Sequence, residues 1–233
     1  MKQGLLSEAM WQLVPLIVAL IVVHAAYVTV IRPTAEAVQE QQSFLQESNP
    51  DFVPERSVYI ILKDLEQETC IILFLWAAAL IGMKTQQTIR QRALLDQTLI
   101  QLSDGMSILP EDARNYARPV QALGEREKQY LFPRALLAGL QRFQSTRNIQ
   151  DVSTIIKDTC ESEADRMETE LSIVRYIAWA IPSIGFLGTV RGIGTALGQA
   201  YQAVAGDIVG VTVSLGVAFN STFVALVVSI LLT

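Results

Sequence analysis

AIPSIGFLGTVRGIGTALG, residues 180–198, is apolar and crowded with small side chains: Ser183, Gly185, Gly188, Thr189, Gly192, Gly194, Thr195, Ala196 and Gly198. In a water-exposed helix each glycine costs about 0.8–1 kcal/mol relative to alanine. Five of them between Gly185 and Gly198 would undo such a helix. In a bilayer the backbone must hydrogen-bond internally, so the segment still folds as a helix. Its small residues let a neighbouring helix approach closely. Gly185–Thr189, Gly188–Gly192 and Gly194–Gly198 are all small-xxx-small pairs.

A second apolar stretch, VTVSLGVAFNSTFVALVVSILLT at residues 211–233, carries no charge. Its length suits a membrane span, which needs about 20 residues. Ser214, Ala218, Ser221 or Thr222, Ala225 and Ser229 recur every three or four positions and share one helix face. Only Gln199–Gly210 joins the two stretches, which predicts an antiparallel hairpin. Thr189 lies about ten residues before this link and Thr222 about twelve after it, so at about 1.5 Å per residue the two hydroxyls fall at similar depth. A matched hydroxyl pair on small-residue faces is a lining for an ion path, with Ser221 beside it. Two such stripes exceed what one hairpin needs for its own packing, which points to a pore.

The run Pro182-Ser-Ile-Gly185-Phe-Leu-Gly188-Thr189-Val190-Arg191-Gly192 resembles the signature of the MotA/TolQ/ExbB proton-channel family. Ala218-Phe-Asn-Ser-Thr222-Phe-Val-Ala-Leu226 is similar to that family's second signature. Arg191 stands where tryptophan is frequent, and many members have a proline near the position of Ser229–Leu231. The resemblance implies a homopentamer around two copies of a MotB/ExbD/TolR-like single-span protein, coupling ion flow to mechanical work. It also implies an ion path at Thr189, Thr222 and Ser221, with Pro182, Gly185, Gly188, Gly192, Ala218 and Ala225 packing the pore. No Asp or Glu lies in the two core stretches, and a threonine hydroxyl cannot take up and release protons near neutral pH. By the same resemblance the titrating carboxylate is an aspartate in the partner's span. Arg191 is expected off the ion path, about 200° around the helix from Thr189 by the 3.6-residue repeat. Asp207 in the link is a candidate pairing partner, within the chain or across subunits.

The rest of the chain fits a membrane protein. It has 233 residues, 51% of them hydrophobic and only 18% charged, with mean hydropathy +0.33. A net charge of −5 lacks the basic footprint of a nucleic-acid-binding protein. Leu13–Ile31 reads as a first span retained after synthesis, since no clear small-x-small cleavage site follows it. His24, the only histidine, lies inside it and is expected to be neutral, in a hydrogen-bonding or packing role. Arg32–Ser57 reads as a polar segment broken by Pro33, Pro50 and Pro54. Val58, Ile61, Leu62 and Leu65 then follow an amphipathic helical spacing. Thr69–Met83 is a short second span that borrows length from Ile60–Leu65. Asp64, Glu66 and Glu68 are read as a solvated face rather than an ion site.

Between Lys84 and Arg175 lie thirteen of the eighteen basic residues. Several fall close to span ends, where the positive-inside rule applies, so this insert and both termini are expected in the cytoplasm. The sequence therefore predicts an all-α polytopic membrane protein with four transmembrane helices and a helical cytoplasmic insert. Its parts are a peripheral hairpin at 1–83, the insert at 84–175 and the pore-forming pair at 176–233. Thr85–Leu102 reads as helix, ended by Ser103-Asp104-Gly105 and Pro110. A second helix starts at Pro110-Glu111-Asp112. One long helix is expected from about Gln150 to Gly198, with Glu161, Glu163, Asp165, Arg166, Glu168 and Glu170 solvated or between subunits.

Cys70 and Cys160 are expected to be two small buried apolar residues, with no disulfide and no metal site. The sequence carries no P-loop, no G-x-S-x-G and no dinucleotide fingerprint, so neither an enzyme nor a cofactor is predicted. The predicted role is the proton-channel subunit of an inner-membrane motor in a bacterial cell. A structural helical scaffold and a sodium-driven motor are the alternatives. The flagellar, outer-membrane-energising and phage-defence branches stay open. No basic residue flanks Thr233, which suggests that a cytoplasmic tail follows.

Overall fold

The computed structural model describes residues 2–48, 56–97, 99–100 and 108–233. No strand occurs among the described residues. The helices are α1 (Lys2–Ala26), α2 (Arg32–Ser48), α3 (Val58–Leu62), α4 (Leu65–Ala93), α5 (Ala113–Gln121), α6 (Leu131–Thr146), α7 (Ile149–Gly198), α8 (Ala200–Val204) and α9 (Val209–Leu232). Among the described residues, four stretches are long and apolar enough to cross a membrane: Gln12–Gln46, α4, α7 and α9. The protein is an all-α, multi-pass membrane protein, as its sequence predicts. The chain divides into two compact units, residues 1–81 with 174–233, and residues 82–173.

In the first unit the first span does not stop at Ile31. A π-helical turn, Tyr27–Ile31, carries it straight into α2, with the Arg32 N–H bonded to the Tyr27 carbonyl. Pro33 is tolerated because the register changes there: the wider turn has already shifted the hydrogen-bond ladder that a proline would break. Pro50 and Pro54 lie outside the described residues. The short α3 and α4 are separate, because the chain bends at Lys63-Asp64 before α4 begins. α4 therefore gains its length at the other end, through Lys84 to Ala93.

α7 runs unbroken through Pro182. The link to α9 holds the short α8 and a positive φ at Gly206. Asp207 Oδ1 accepts the Val209 N–H at 3.1 Å and so caps the start of α9. Ser214 Oγ donates to Gln199 Oε1 at 3.3 Å and ties the two helices together near the link.

In the second unit α4 gives way to turns at Leu94–Gln97, short of the expected Leu102. The signals at Ser103–Gly105 lie outside the described residues. α5 follows the turn at Pro110–Asp112 and packs on α6, with Ala113, Ala117 and Leu140 at the centre and Ile108, Tyr116, Leu136, Leu137 and Phe143 around them. Gly139 lets Ile156 and Val152 close on α6. Arg147 adopts a left-handed backbone, φ 53°, to end α6. Asn148 Oδ1 then accepts the Gln150 N–H at 2.9 Å to start α7.

Two expectations change here. Glu163 is buried, its side chain 2% exposed, between Arg134 at 2.7 Å and Arg166 at 2.8 Å. It is neither solvated nor available to another subunit, because a buried carboxylate needs such partners. Cys160 is exposed, whereas Cys70 is buried, and both are free thiols. Cys160 lies on a polar segment of α7, where none of the described elements covers it.

Candidate ion-path site in the α7–α9 hairpin

The small residues of α7 and α9 are packed against each other. Gly185, Gly188, Gly192 and Ala196 are buried on one side, and Ser214, Ala218, Ser221 and Ala225 on the other. A Cβ on Gly188 would lie 2.5 Å from Ser221 Cβ, and one on Gly192 would lie 2.7 Å from Ala218 Cβ. A Cβ on Gly185 would collide with that of Ala225. Hydrogen allows backbone-to-backbone approach where any side chain would hold the helices apart. The stripes at these positions are thus occupied by the hairpin's own packing, and their excess over that need does not extend to them. Gly194, Gly198 and Gly216 face open space. Pro182 is half-buried one turn before Gly185.

This packing brings the predicted threonines together. Thr189 Oγ1 and Thr222 Oγ1 are in direct contact. Thr189 Oγ1 also lies 3.1 Å from the Ala218 carbonyl oxygen and 3.3 Å from that of Gly185. Thr222 Oγ1 lies 3.2 Å from the same Gly185 oxygen. Each hydroxyl has one proton and two lone pairs. In one arrangement Thr189 donates to Ala218 and Thr222 donates to Thr189. In the other, Thr222 donates to Gly185 and Thr189 donates to Thr222. Both arrangements leave lone pairs free to accept, and a hydroxyl that turns away from its backbone carbonyl can donate outward instead. Both side chains are half-buried rather than sealed.

Ser221 is not part of this contact. It is 1% exposed against Gly188, and its hydroxyl donates to the Val217 carbonyl of its own helix at 2.9 Å.

Within the chain, Arg191 pairs with Glu66 rather than Asp207. Arg191 Nη2 lies 2.8 Å from Glu66 Oε2. The Glu66 Cγ lies 3.1 Å from where a Gly188 Cβ would be, so the missing side chain makes room for it. Asp207 is engaged instead in capping α9. The acidic trio at the start of α4 is therefore no solvated face: Glu66 is 14% exposed and Glu68 6% at the side chain. Asp64 Oδ2 is buried without a partner among the described residues. Burial raises the Asp64 carboxyl above its usual range, against the opposing pull of Lys63 and Arg191. No group of His, Cys, Asp and Glu suited to a metal ion occurs among the described residues.

Glu66 was the residue that sequence reasoning missed. A lone arginine in an apolar span demands a counter-charge, and that demand is the signal. Asp207 answers it by proximity along the chain, whereas the fold answers it from α4.

Residues 127–233 match the family model described as the MotA/TolQ/ExbB proton channel family. The match takes in α6, α7 and α9, and with them both threonines. It bears out the resemblance carried by Pro182–Gly192 and Ala218–Leu226. The family is one of membrane channels rather than an enzyme class. No curated protein and no solved structure matches the chain.

Proposed function

We propose, from the premise that residues 127–233 carry a MotA/TolQ/ExbB-type channel domain, that the protein is the proton-channel subunit of an ion-driven motor in a bacterial inner membrane. Five copies surround two single-span partners of the MotB, ExbD or TolR kind. Residues 1–83 form the peripheral hairpin, 84–175 a cytoplasmic insert, and 176–233 the pore-forming pair, with both termini cytoplasmic. The observation that carries this reading is the contact between Thr189 and Thr222 on half-buried faces of the hairpin.

A carboxylate in hydrocarbon is costly unless hydrogen-bonded. The hydroxyl pair donates to the ionised form of the partner's aspartate and accepts from the protonated form. It thus serves a carboxyl group through its whole cycle of proton gain and loss. Arg191, neutralised by Glu66, stays off that path. A sodium-driven version is favoured by one feature of the same site: two hydroxyls and the carbonyl oxygens of Gly185 and Ala218 converge, and such oxygens also suit a hard cation.

Reconstitution into vesicles with the single-span partner tests this function. Proton uptake driven by a membrane potential is expected only when the partner is present and keeps its aspartate. Native mass spectrometry of the extracted complex is expected to give five copies to two. Equal flux without the partner, or a stable monomer or dimer, would overturn the reading. Partner-dependent flux that requires sodium would keep the site and change the ion.

A further inference from the structure

Within the second unit a groove of about 620 Å³ runs along α7, lined by Arg134, Asp158, Ser162, Asp165, Arg166 and Thr169 among others. Helix geometry sorts these residues. At about 100° per residue, Ile155, Ser162 and Thr169 fall within about 40° of one another and form the floor. Asp158 and Asp165 stand about 40–60° to one side of Ser162, and Thr159 and Arg166 about 40–60° to the other. Arg134 reaches over from α6 on the Arg166 side, where both guanidiniums meet Glu163. The face therefore has an acidic edge, a basic edge and small side chains between them.

The chain does not use up either edge. Arg134 and Arg166 share the single carboxylate of Glu163 and are 39% and 45% exposed at the side chain. Glu170, 3.7 Å from Arg166, already holds Lys84. Three cations thus meet two carboxylates, and a guanidinium with five N–H donors has several to spare. Asp158 and Asp165 are exposed, and neither forms an ion pair among the described residues. Lys157, the nearest cation on the acidic side, is 3.5 Å from Glu161. Asp165 cannot turn to Arg166 of its own chain, because adjacent residues of a helix do not face each other.

A second copy removes that obstacle. In a ring of copies related by rotation about an axis parallel to α7, each residue stands level with the same residue of the next copy. Asp165 and Arg166 differ in height by only about 1.5 Å, so the acidic edge of one copy meets the basic edge of the next in register. Such a contact joins unlike edges and closes into a ring. We propose that this face of α7 is the contact between neighbouring copies in the cytoplasmic part of the assembly, with Asp165 of one copy paired to Arg166 of the next. The inference rests on the oligomeric reading given under Proposed function. A carboxylate and a guanidinium make a strong charge-assisted pair, and Ser162 and Thr169 are small enough to let the two helices approach.

Cysteine cross-linking of the full chain in its assembled complex tests the contact. Asp158→Cys and Thr159→Cys together, with Cys160→Ser, put one thiol on each edge at nearly equal height. Their Cα atoms, about 3.8 Å apart, are too close for a disulfide between them, and Cys70 is buried. Oxidation is expected to give a covalent ladder ending at five copies, and each single-cysteine variant is expected to stay uncross-linked. No ladder from a complex that native mass spectrometry shows to be pentameric would overturn the inference and leave the channel reading standing. A cross-linked dimer from either single variant would overturn it too, since like edges would then meet. A complex with no oligomer at all would overturn both. As a second measurement, Asp165→Arg is expected to lose the pentamer at low salt, whereas Glu161→Arg, outside the groove, keeps it. Equal behaviour of the two variants would contradict the pairing.

Discussion

Thr189 and Thr222, 33 residues apart in sequence, touch through their hydroxyls and share the Gly185 carbonyl oxygen as an acceptor. That oxygen is within reach because Gly185 has no side chain to hold α9 away. The polar pair and the glycine packing are one feature: the hydroxyls meet only because the backbones do.

Substitutions at the glycines should therefore divide sharply. Gly188→Ala and Gly192→Ala place a methyl group 2.5 Å and 2.7 Å from Ser221 and Ala218. Each is expected to destabilise the hairpin by about 1–3 kcal/mol, the usual cost of overpacking. Gly194→Ala meets nothing within 4 Å and is expected to change stability by less than about 0.5 kcal/mol. Thermal denaturation in detergent measures all three. Equal effects at Gly192 and Gly194 would contradict the packing described.

The pair of Arg191 with Glu66 predicts a coupling that sequence proximity does not. Arg191→Gln and Glu66→Gln should each lower stability by about 1–2 kcal/mol, since each leaves a partly buried charge alone. The exchange Glu66→Arg with Arg191→Glu should recover part of the loss. In a double-mutant cycle Arg191 should couple to Glu66 and not to Asp207. Coupling to Asp207 instead would return the pairing to the one first expected.

Asp64 predicts a dependence on pH. Burial raises its carboxyl above the ordinary 3.8, so the folded protein holds that proton more tightly than the unfolded chain does. The stability this contributes is fully present below the unfolded value and is lost as pH rises through the folded one. Asp64→Asn removes that loss. The variant should melt higher than wild type at pH 7.5, and the difference should shrink as pH falls toward 4. A variant that melts lower at pH 7.5 would mean that the ionised carboxylate is stabilising.

Much of the fold is legible in residue spacing. The hairpin follows from two apolar stretches and a short link, and the meeting of Thr189 with Thr222 follows from counting along each helix. α7 appears within a residue of its expected start, where Arg147 ends α6 and Asn148 accepts the Gln150 N–H. The remainder depends on contacts between distant segments. Pro33 reads as a stop until the π turn beside it is known. Asp64, Glu66 and Glu68 read as a solvated run because the sequence does not display Arg191, Arg32 and His24 waiting for them. Glu163 is hidden in the same way, since Arg134 reaches it from another helix.

The central claim is that the two threonine hydroxyls serve the carboxyl group of a partner span. Valine keeps the shape of threonine and removes the hydroxyl. The decisive measurement is partner-dependent proton flux into vesicles by the double variant Thr189→Val, Thr222→Val, with Ser221→Ala as the comparison. The double variant should assemble with its partner as wild type does and lose flux at least about tenfold, the equivalent of one lost hydrogen bond to a charged group. Ser221→Ala should keep most of it, because the Ser221 hydroxyl is already held by Val217. Wild-type flux from the assembled double-valine complex would contradict the account.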